Sequence, residues 1–248
     1  MNKSALDTDG YVYVPSLYAS PYTKANRYQN PKENYKHVAR RLTGSPFKDR
    51  ACSVIDAACG NGELLYHLRG NFPNWQLYGV DFTEAFIDVA KNYEGLKGVR
   101  FEHKDLFDVN ETFDIVICTG LITTFWEPES LLDKLLGLCR SGGRVLVDGC
   151  FNKHDIEVRC IYMDNSNPDL RGKWRRDWSQ HSRSGLRELL KGKCKTVEFD
   201  DIVMGVDIPR SAAKPQTHVW TFRDAEGKNL ITNGTNILLN ASLMVIEK

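Results

Sequence analysis

The sequence predicts one doubly wound α/β domain, and three observations carry that expectation. From Cys52 onward, short apolar runs alternate with amphipathic stretches through five strands, the pattern of a parallel sheet with crossover helices. The first run ends in a glycine-bearing turn, Asp56-Ala57-Ala58-Cys59-Gly60-Asn61-Gly62, and a helix starts at Glu63. At 248 residues the chain is long enough for one large core and short for two.

The division expected is a single domain over 1–248 in three parts. Residues 1–45 form an N-terminal arm and helix. Tyr11, Tyr13, Tyr18, Tyr22, Tyr28 and Tyr35, with Pro15, Pro21 and Pro31, give no regular period there. Within that part ENYKHVARRLT, 33–43, reads as an amphipathic helix stopped near Gly44 and Pro46. Residues 50–151 form the regular core. CSVIDAA is strand one and ELLYHLRG its helix; QLYGVDF is strand two. TEAFIDVAKNY is the next helix, with Thr83 as its N-cap and Glu84 in its first turn. VRFEHKDL and FDIVICTG are strands three and four. ESLLDKLLGLCR is a helix ending at Gly142-Gly143, and RVLVDGCF is strand five. Residues 152–248 elaborate the core. The alternation lapses for some thirty residues, then a helix at 183–191 and a strand-like TVEFDDIVMGVD follow. HVWTFRD and KNLITNG flank a turn at Ala225-Glu226-Gly227 as a hairpin, and LLNASLMVIEK is the final strand.

Composition excludes several classes. A net charge of +1 removes the global electrostatic argument for nucleic-acid binding. No apolar run reaches bilayer length, so no membrane insertion is expected, and the N-terminus lacks a signal-peptide core. Seven cysteines, scattered without a CxxC pair, argue against a disulfide framework or a metal site and for a cytoplasmic location. The sequons at Asn110, Asn233 and Asn240 are then chance matches.

The glycine turn carries the chemistry. Gly60 and Gly62 let backbone approach a ligand closely, and the helix start behind them offers unpaired N–H groups. A dinucleotide fold would continue as GxGxxG, but the third position here is Leu65, which weakens a dehydrogenase reading. A purely structural turn is the bland alternative. The turn resembles motif I of the class I S-adenosylmethionine-dependent methyltransferases, acidic-x-G-x-G-x-G, with Ala58 in place of the first glycine. The resemblance extends in order along the chain. Asp81, 19 residues past Gly62 and followed by Phe82, matches the ribose-binding acid. Asp105 in HKDL, with Leu106 as apolar neighbour, resembles the family's adenine-side acid, and FDIVICTGLITTF resembles motif IV, which implies that Thr119, Gly120 and Leu121 lie near the methionine part. SGGRVLV matches the turn into strand five. The resemblance implies a Rossmann-like methyltransferase sheet, mostly parallel with an antiparallel last strand and a C-terminal hairpin. Its cofactor site is expected to comprise Asp56, Ala58, Cys59, Gly60, Asn61, Gly62, Asp81, Phe82, Asp105, Leu106, Thr119, Gly120 and Leu121.

The acceptor is less legible. Motif IV here reads CTGL, unlike the Asn/Asp-Pro-Pro-aromatic tetrad of amino-directed DNA methyltransferases. The C-terminal third resembles bacterial methyltransferases of surface-polysaccharide gene clusters. A small polar acceptor follows, with a sugar or glycan-precursor hydroxyl as the first expectation. An amine acceptor and a non-catalytic cofactor-binding subunit are the alternatives, and a homodimer is left open. Arg171, Lys173, Arg175, Arg176, Arg183 and Arg187, interleaved with Trp174 and Trp178, suit an anionic or sugar-like acceptor, or else a solvated face. Arg175, Arg176 and Trp178 are the substrate-binding candidates. His154 and His181 are the candidate general bases, with His218 behind them. Asp148, at the end of strand five, is read as orienting a base or acceptor, or else capping a turn. Tyr28 and Tyr35 are candidates to close over the cofactor, or else packing residues.

Overall fold

In the structure, a computed structural model that describes residues 27–165, 168, 171–210 and 219–248, the first regular element is helix α1 (Glu33–Thr43). It buries Tyr35, Val38, Ala39 and Leu42, the i, i+3, i+4, i+7 stripe that its sequence spells out. The core then runs β1 (Ser53–Ala57), α2 (Glu63–Asn71), β2 (Gln76–Asp81), α3 (Glu84–Asn92), β3 (Arg100–His103), β4 (Phe113–Thr119), α4 (Glu129–Leu138) and β5 (Cys139–Asn152). The remainder comprises β6 (Val158–Tyr162), β7 (Arg175–Ser182), α5 (Arg183–Leu190), β8 (Thr196–Asp201), β9 (Trp220–Arg223), β10 (Asn229–Thr232) and β11 (Ala241–Glu247).

The main path of the sheet is β3-β2-β1-β4-β5-β11-β8. Strands β1 to β5 pair in parallel, and β11 lies antiparallel to both β5 and β8. Alternate residues of each central strand serve opposite faces. Val54, Ile115, Leu146 and Val245 pack in one core with α1 and α2, while Ile55, Val116, Val145 and Met244 pack in the other with α4 and α5. Strands buried on both faces read as continuous apolar runs, which is why β1, β4, β5 and β11 stand out in the sequence. The doubly wound sheet, its antiparallel last strand and its C-terminal hairpin (β9 with β10) are all present. No helix among the described residues is long and apolar enough to cross a membrane.

Three details differ from the sequence expectation. Helix α4 stops at Leu138, short of the glycine pair, because Cys139 already pairs with Phe113 in the β4–β5 ladder. The Lys248 ammonium takes the carbonyls of Leu136 and Cys139, both at 2.7 Å, at that helix end. Second, the run expected at 196–207 ends as a strand at Asp201. Third, the segment after Phe151, where the alternation lapses, contains β6 and β7. They pair antiparallel, and β7 joins β5 in parallel through Phe151–His181 and Asn152–Ser182.

One contact fixes how the glycine turn sits on the sheet. Gly79 in β2 lies under the turn, and a Cβ there would come within 2.7 Å of the Phe101 ring and 2.8 Å of Cys59 Sγ. Both neighbours are buried. Gly79→Ala is therefore expected to lower stability by about 1–3 kcal/mol through overpacking, read as a fall in the midpoint of denaturant unfolding with an unchanged slope.

Candidate functional site

The carboxyl ends of β1, β2, β4 and β5 meet at one edge of the sheet, the place where ligands bind in doubly wound folds. The turn after β1 is held in left-handed backbone at three positions: Ala58 (φ 65°), Gly60 (φ 53°) and Gly62 (φ 76°). Ala58 keeps the conformation of the glycine that it replaces, at a cost of roughly 1–2 kcal/mol. A Cβ at Gly60 would meet nothing within 4 Å, so this position faces open space. Cys59 donates its backbone N–H to Val80 at 2.9 Å, which ties the turn to β2.

Asp81 terminates β2, buried at 6 % exposure. One carboxylate oxygen accepts the Gly60 N–H at 2.9 Å and the other the Thr83 N–H at 2.8 Å. Each oxygen thereby retains a lone pair for a hydroxyl pair such as a ribose diol. Thr83 holds the N-cap position of α3 but makes no side-chain cap bond. Asp56 is buried more deeply, at 1 %, and its Oδ1 has no hydrogen-bond partner among the described residues. Burial, with Asp81 beside it, pushes its carboxyl well above the usual range, while Lys32 opposes the shift. Glu63, the first residue of α2, is 5 % exposed, and burial raises its carboxyl as well. Asp148 lies within β5, four residues before the strand ends at Asn152 rather than at its end, and burial pushes its carboxyl up to about 6 against the pull of Asn34 and Lys32. Its side chain accepts a 2.7 Å bond from Asn34 on α1, and its backbone carbonyl accepts the Gly120 N–H at 3.2 Å.

These features fit the cofactor that the sequence motifs imply. A buried carboxylate oxygen without a partner calls for a positively charged or N–H-bearing ligand. The open backbone at Gly60 admits close approach, and Asp81 keeps acceptor capacity for hydroxyls.

The remaining expected residues lie around this edge. Asn61, buried, accepts the Tyr28 hydroxyl on its backbone carbonyl at 2.8 Å. Tyr28 stacks on Tyr93 at 3.7 Å, and Tyr35 is in the core face of α1. Phe82 is 51 % exposed beside Asp81. Asp105, exposed, accepts the Phe107 N–H at 3.0 Å as cap of a short 3₁₀ turn, with Leu106 buried below it. Thr119 and Leu121 are half-buried around Gly120, whose φ is 74°.

The two histidines are not brought together. His154 is exposed in the turn beyond β5, and its backbone N–H bonds Asn152 Oδ1. His181 is enclosed at 2 % exposure, with Nε2 at 3.1 Å from Ser179 Oγ and Nδ1 at 3.1 Å from Glu157 Oε2. Ser179 Oγ in turn lies 3.0 Å from the Thr123 carbonyl and 2.8 Å from that of Phe125, on the loop after β4. Arg175 is buried 5.8 Å from the Tyr162 ring, while Arg176 sits 3.6 Å above the Trp126 ring, which Arg159 also approaches at 5.5 Å. Trp178 is half-buried on the same strand. His218 lies outside the described residues. The sequence reading missed Lys32, Asn34, Glu63 and Trp126. Only Glu63 carried a signal, an acid at the first helical position after the turn.

The carboxyl of Asp148 yields a pH signature. Its folded value, about 6, exceeds the ordinary 3.8. Between these values the native state binds more protons than the unfolded chain, so this group's contribution to stability falls as pH rises from 4 to 6. The slope is at most about 1.4 kcal/mol per pH unit. Asp148→Asn keeps an acceptor for Asn34 and is expected to make that decline shallower and to raise the melting temperature at pH 7.5, measured by thermal unfolding across the range.

Comparison with known proteins shows the family and the fold. The family model described as "Methyltransferase domain" matches residues 48–209. Malonyl-[acyl-carrier protein] O-methyltransferase of Bacillus cytotoxicus is 28 % identical over 168 residues, covering 67 % of this chain and 56 % of that protein. Demethylmenaquinone methyltransferase of Deinococcus radiodurans is 27 % identical over 115 residues, 44 % of this chain and 46 % of its own. The matches thus span about half the length of these curated relatives. Among solved structures, the 1,6-didemethyltoxoflavin-N1-methyltransferase of Burkholderia thailandensis, with bound S-adenosylhomocysteine, aligns with TM-score 0.57 at 15 % identity over 99 % of this chain and 98 % of that one. The putative methyltransferase of Haloferax volcanii, in complex with its Trm112 activator, aligns with TM-score 0.59 at 17 % identity over 92 % and 96 %. At such identities the structures speak to fold, while the family model covers well over half of the sequence: the chain belongs to the methyltransferase domain family, the S-adenosylmethionine-dependent methyltransferases.

Proposed function

We propose that this protein transfers a methyl group from S-adenosylmethionine to a small polar acceptor, a hydroxyl of a sugar or glycan precursor, in the cytoplasm. The observation that carries the cofactor half is the buried acidic cradle, with Asp56 Oδ1 lacking a partner and Asp81 holding the glycine turn. Asp81 would accept the ribose hydroxyls, Gly60 and Gly62 would leave room for backbone approach, and Asp56 would face the cationic end. Phe82, Asp105 and Leu106 would border the adenine, and Thr119 to Leu121 the methionine part. Bound S-adenosylmethionine supplies a methyl group on a good leaving group, so the protein's own work is alignment and proton removal.

For the proton, His154 is the residue we assign as general base, because it is exposed just past the ligand-bearing end of β5. His181 is the second candidate, and its two engaged nitrogens suit it to holding the loop after β4 in place. Arg175, Arg176 and Trp178, joined by Trp126, would line the acceptor side. The same enclosure of His181 favours an amine acceptor as the second reading, since a free amine needs no base. The relatives named above act on a malonyl carrier protein and a quinone, and the sugar assignment rests on the resemblance of the C-terminal third.

Calorimetric titration with S-adenosylmethionine and, separately, NAD tests the cofactor assignment. Micromolar binding of the first and none of the second is expected; the reverse result, or binding of neither, refutes it. Asp81→Ala is expected to weaken S-adenosylmethionine at least tenfold while remaining folded, since a carboxylate bridging two hydroxyls contributes more than about 1.4 kcal/mol. An unchanged affinity would remove Asp81 from the site.

A further inference from the structure

Four carboxyl groups lie buried at the ligand-bearing edge: Asp56, Asp81, Asp148 and Glu63, each less than a tenth exposed. The segment that crosses them comes from outside the sheet. Tyr28 anchors it to the Asn61 carbonyl at 2.8 Å, and Asn34 anchors it to Asp148 at 2.7 Å. Lys32 lies between these two anchors, half-buried, with its ammonium 5.2 Å from the Tyr35 ring centroid. It interacts electrostatically with Glu63, Asp148 and Asp56, with Arg27 as the neighbouring like charge. Burial pulls the Lys32 ammonium below its ordinary range, and these carboxylates hold it up. The segment therefore inserts a cation of the chain's own into a cradle whose carboxylates favour a cationic ligand.

We propose that Lys32 is a built-in counter-ion of the cofactor cradle, and that its ammonium sets how strongly the site prefers the charged S-adenosylmethionine over the neutral-sulfur product S-adenosylhomocysteine. The inference rests on the cofactor reading of this cradle. S-adenosylmethionine and its product share adenine, ribose, ammonium and carboxylate groups, so a contact of Lys32 with any of those cancels when the two affinities are divided. What remains in the ratio is the charge on sulfur. A fixed ammonium nearby repels a sulfonium and leaves a thioether unaffected, and it also neutralises the carboxylates that would attract that sulfonium. The device lowers discrimination between substrate and product.

The test is calorimetric titration of the full chain with S-adenosylmethionine, S-adenosylhomocysteine and sinefungin, which carries an amine at the place of the transferable methyl. Wild type is compared with Lys32→Met, Lys32→Gln and Lys32→Arg, with melting temperatures recorded for each. For Met and Gln, the preference for S-adenosylmethionine over its product is expected to rise at least threefold. Sinefungin should follow S-adenosylmethionine, and Lys32→Arg should stay within twofold of wild type. The gain should shrink in high salt. Either Met or Gln suffices if the other does not fold. An equal weakening of all three ligands would mean that Lys32 grips their shared carboxylate, and would overturn the proposal. A larger loss for S-adenosylmethionine than for its product would overturn it too. Failure of wild type to bind any of the three would instead remove the cofactor reading on which it rests.

Discussion

The carboxylate of Asp81 joins three pieces of chain at once. It ends β2, holds the Gly60 N–H of the turn after β1, and holds the Thr83 N–H where α3 begins. Neither of those half-buried backbone donors has a helix or sheet partner of its own at that point, so the carboxylate supplies the partner that each would otherwise lack. The turn can stay open toward a ligand only because a side chain from the neighbouring strand satisfies it from behind. Gly79 and Phe101 complete the support, one by having no side chain and the other by filling the space. Sheet order, turn shape and helix start are therefore coupled through a single side chain at the edge proposed to bind the cofactor.

That arrangement concentrates acid. Asp56, Asp81, Asp148 and Glu63 are all shifted upward by burial, so the folded state holds them at a cost above the unfolded chain. Function explains such a cost better than packing does. Lys32 and the amide of Asn34 offset part of it, which makes residues 32–34 an electrostatic component of the sheet edge.

Legibility in the sequence followed burial type. Where strands are buried on both faces by apolar residues, as in β1, β4, β5 and β11, a run of letters such as RVLV or LMVI was enough. The turn was legible because its glycines and acids do local work. β6 and β7 were not, because β7 buries polar side chains: Ser179, Gln180, His181 and Ser182 are each 2 % exposed or less. Their compensation comes from distant chain. Gln180 donates to the Leu238 carbonyl and accepts from the Asn240 N–H, and Ser179 reaches Thr123 and Phe125. No local period announces such partners. Lys32 and Asn34 escaped for the same reason, since their carboxylates lie 24 or more residues away in sequence.

The place of β11 has a consequence for how the chain is made. It lies between β5 and β8 in space yet follows both in sequence, so its seven residues close a gap that two earlier strands leave open. During synthesis, both of those strands emerge first and present unpaired backbone edges. The parallel half of the sheet, β1 to β5, can assemble while this gap persists, but the β5–β8 side stays a template for any extended chain nearby. A growing polypeptide of this topology is thus exposed to aggregation on the ribosome until residues 241–247 have cleared the exit tunnel.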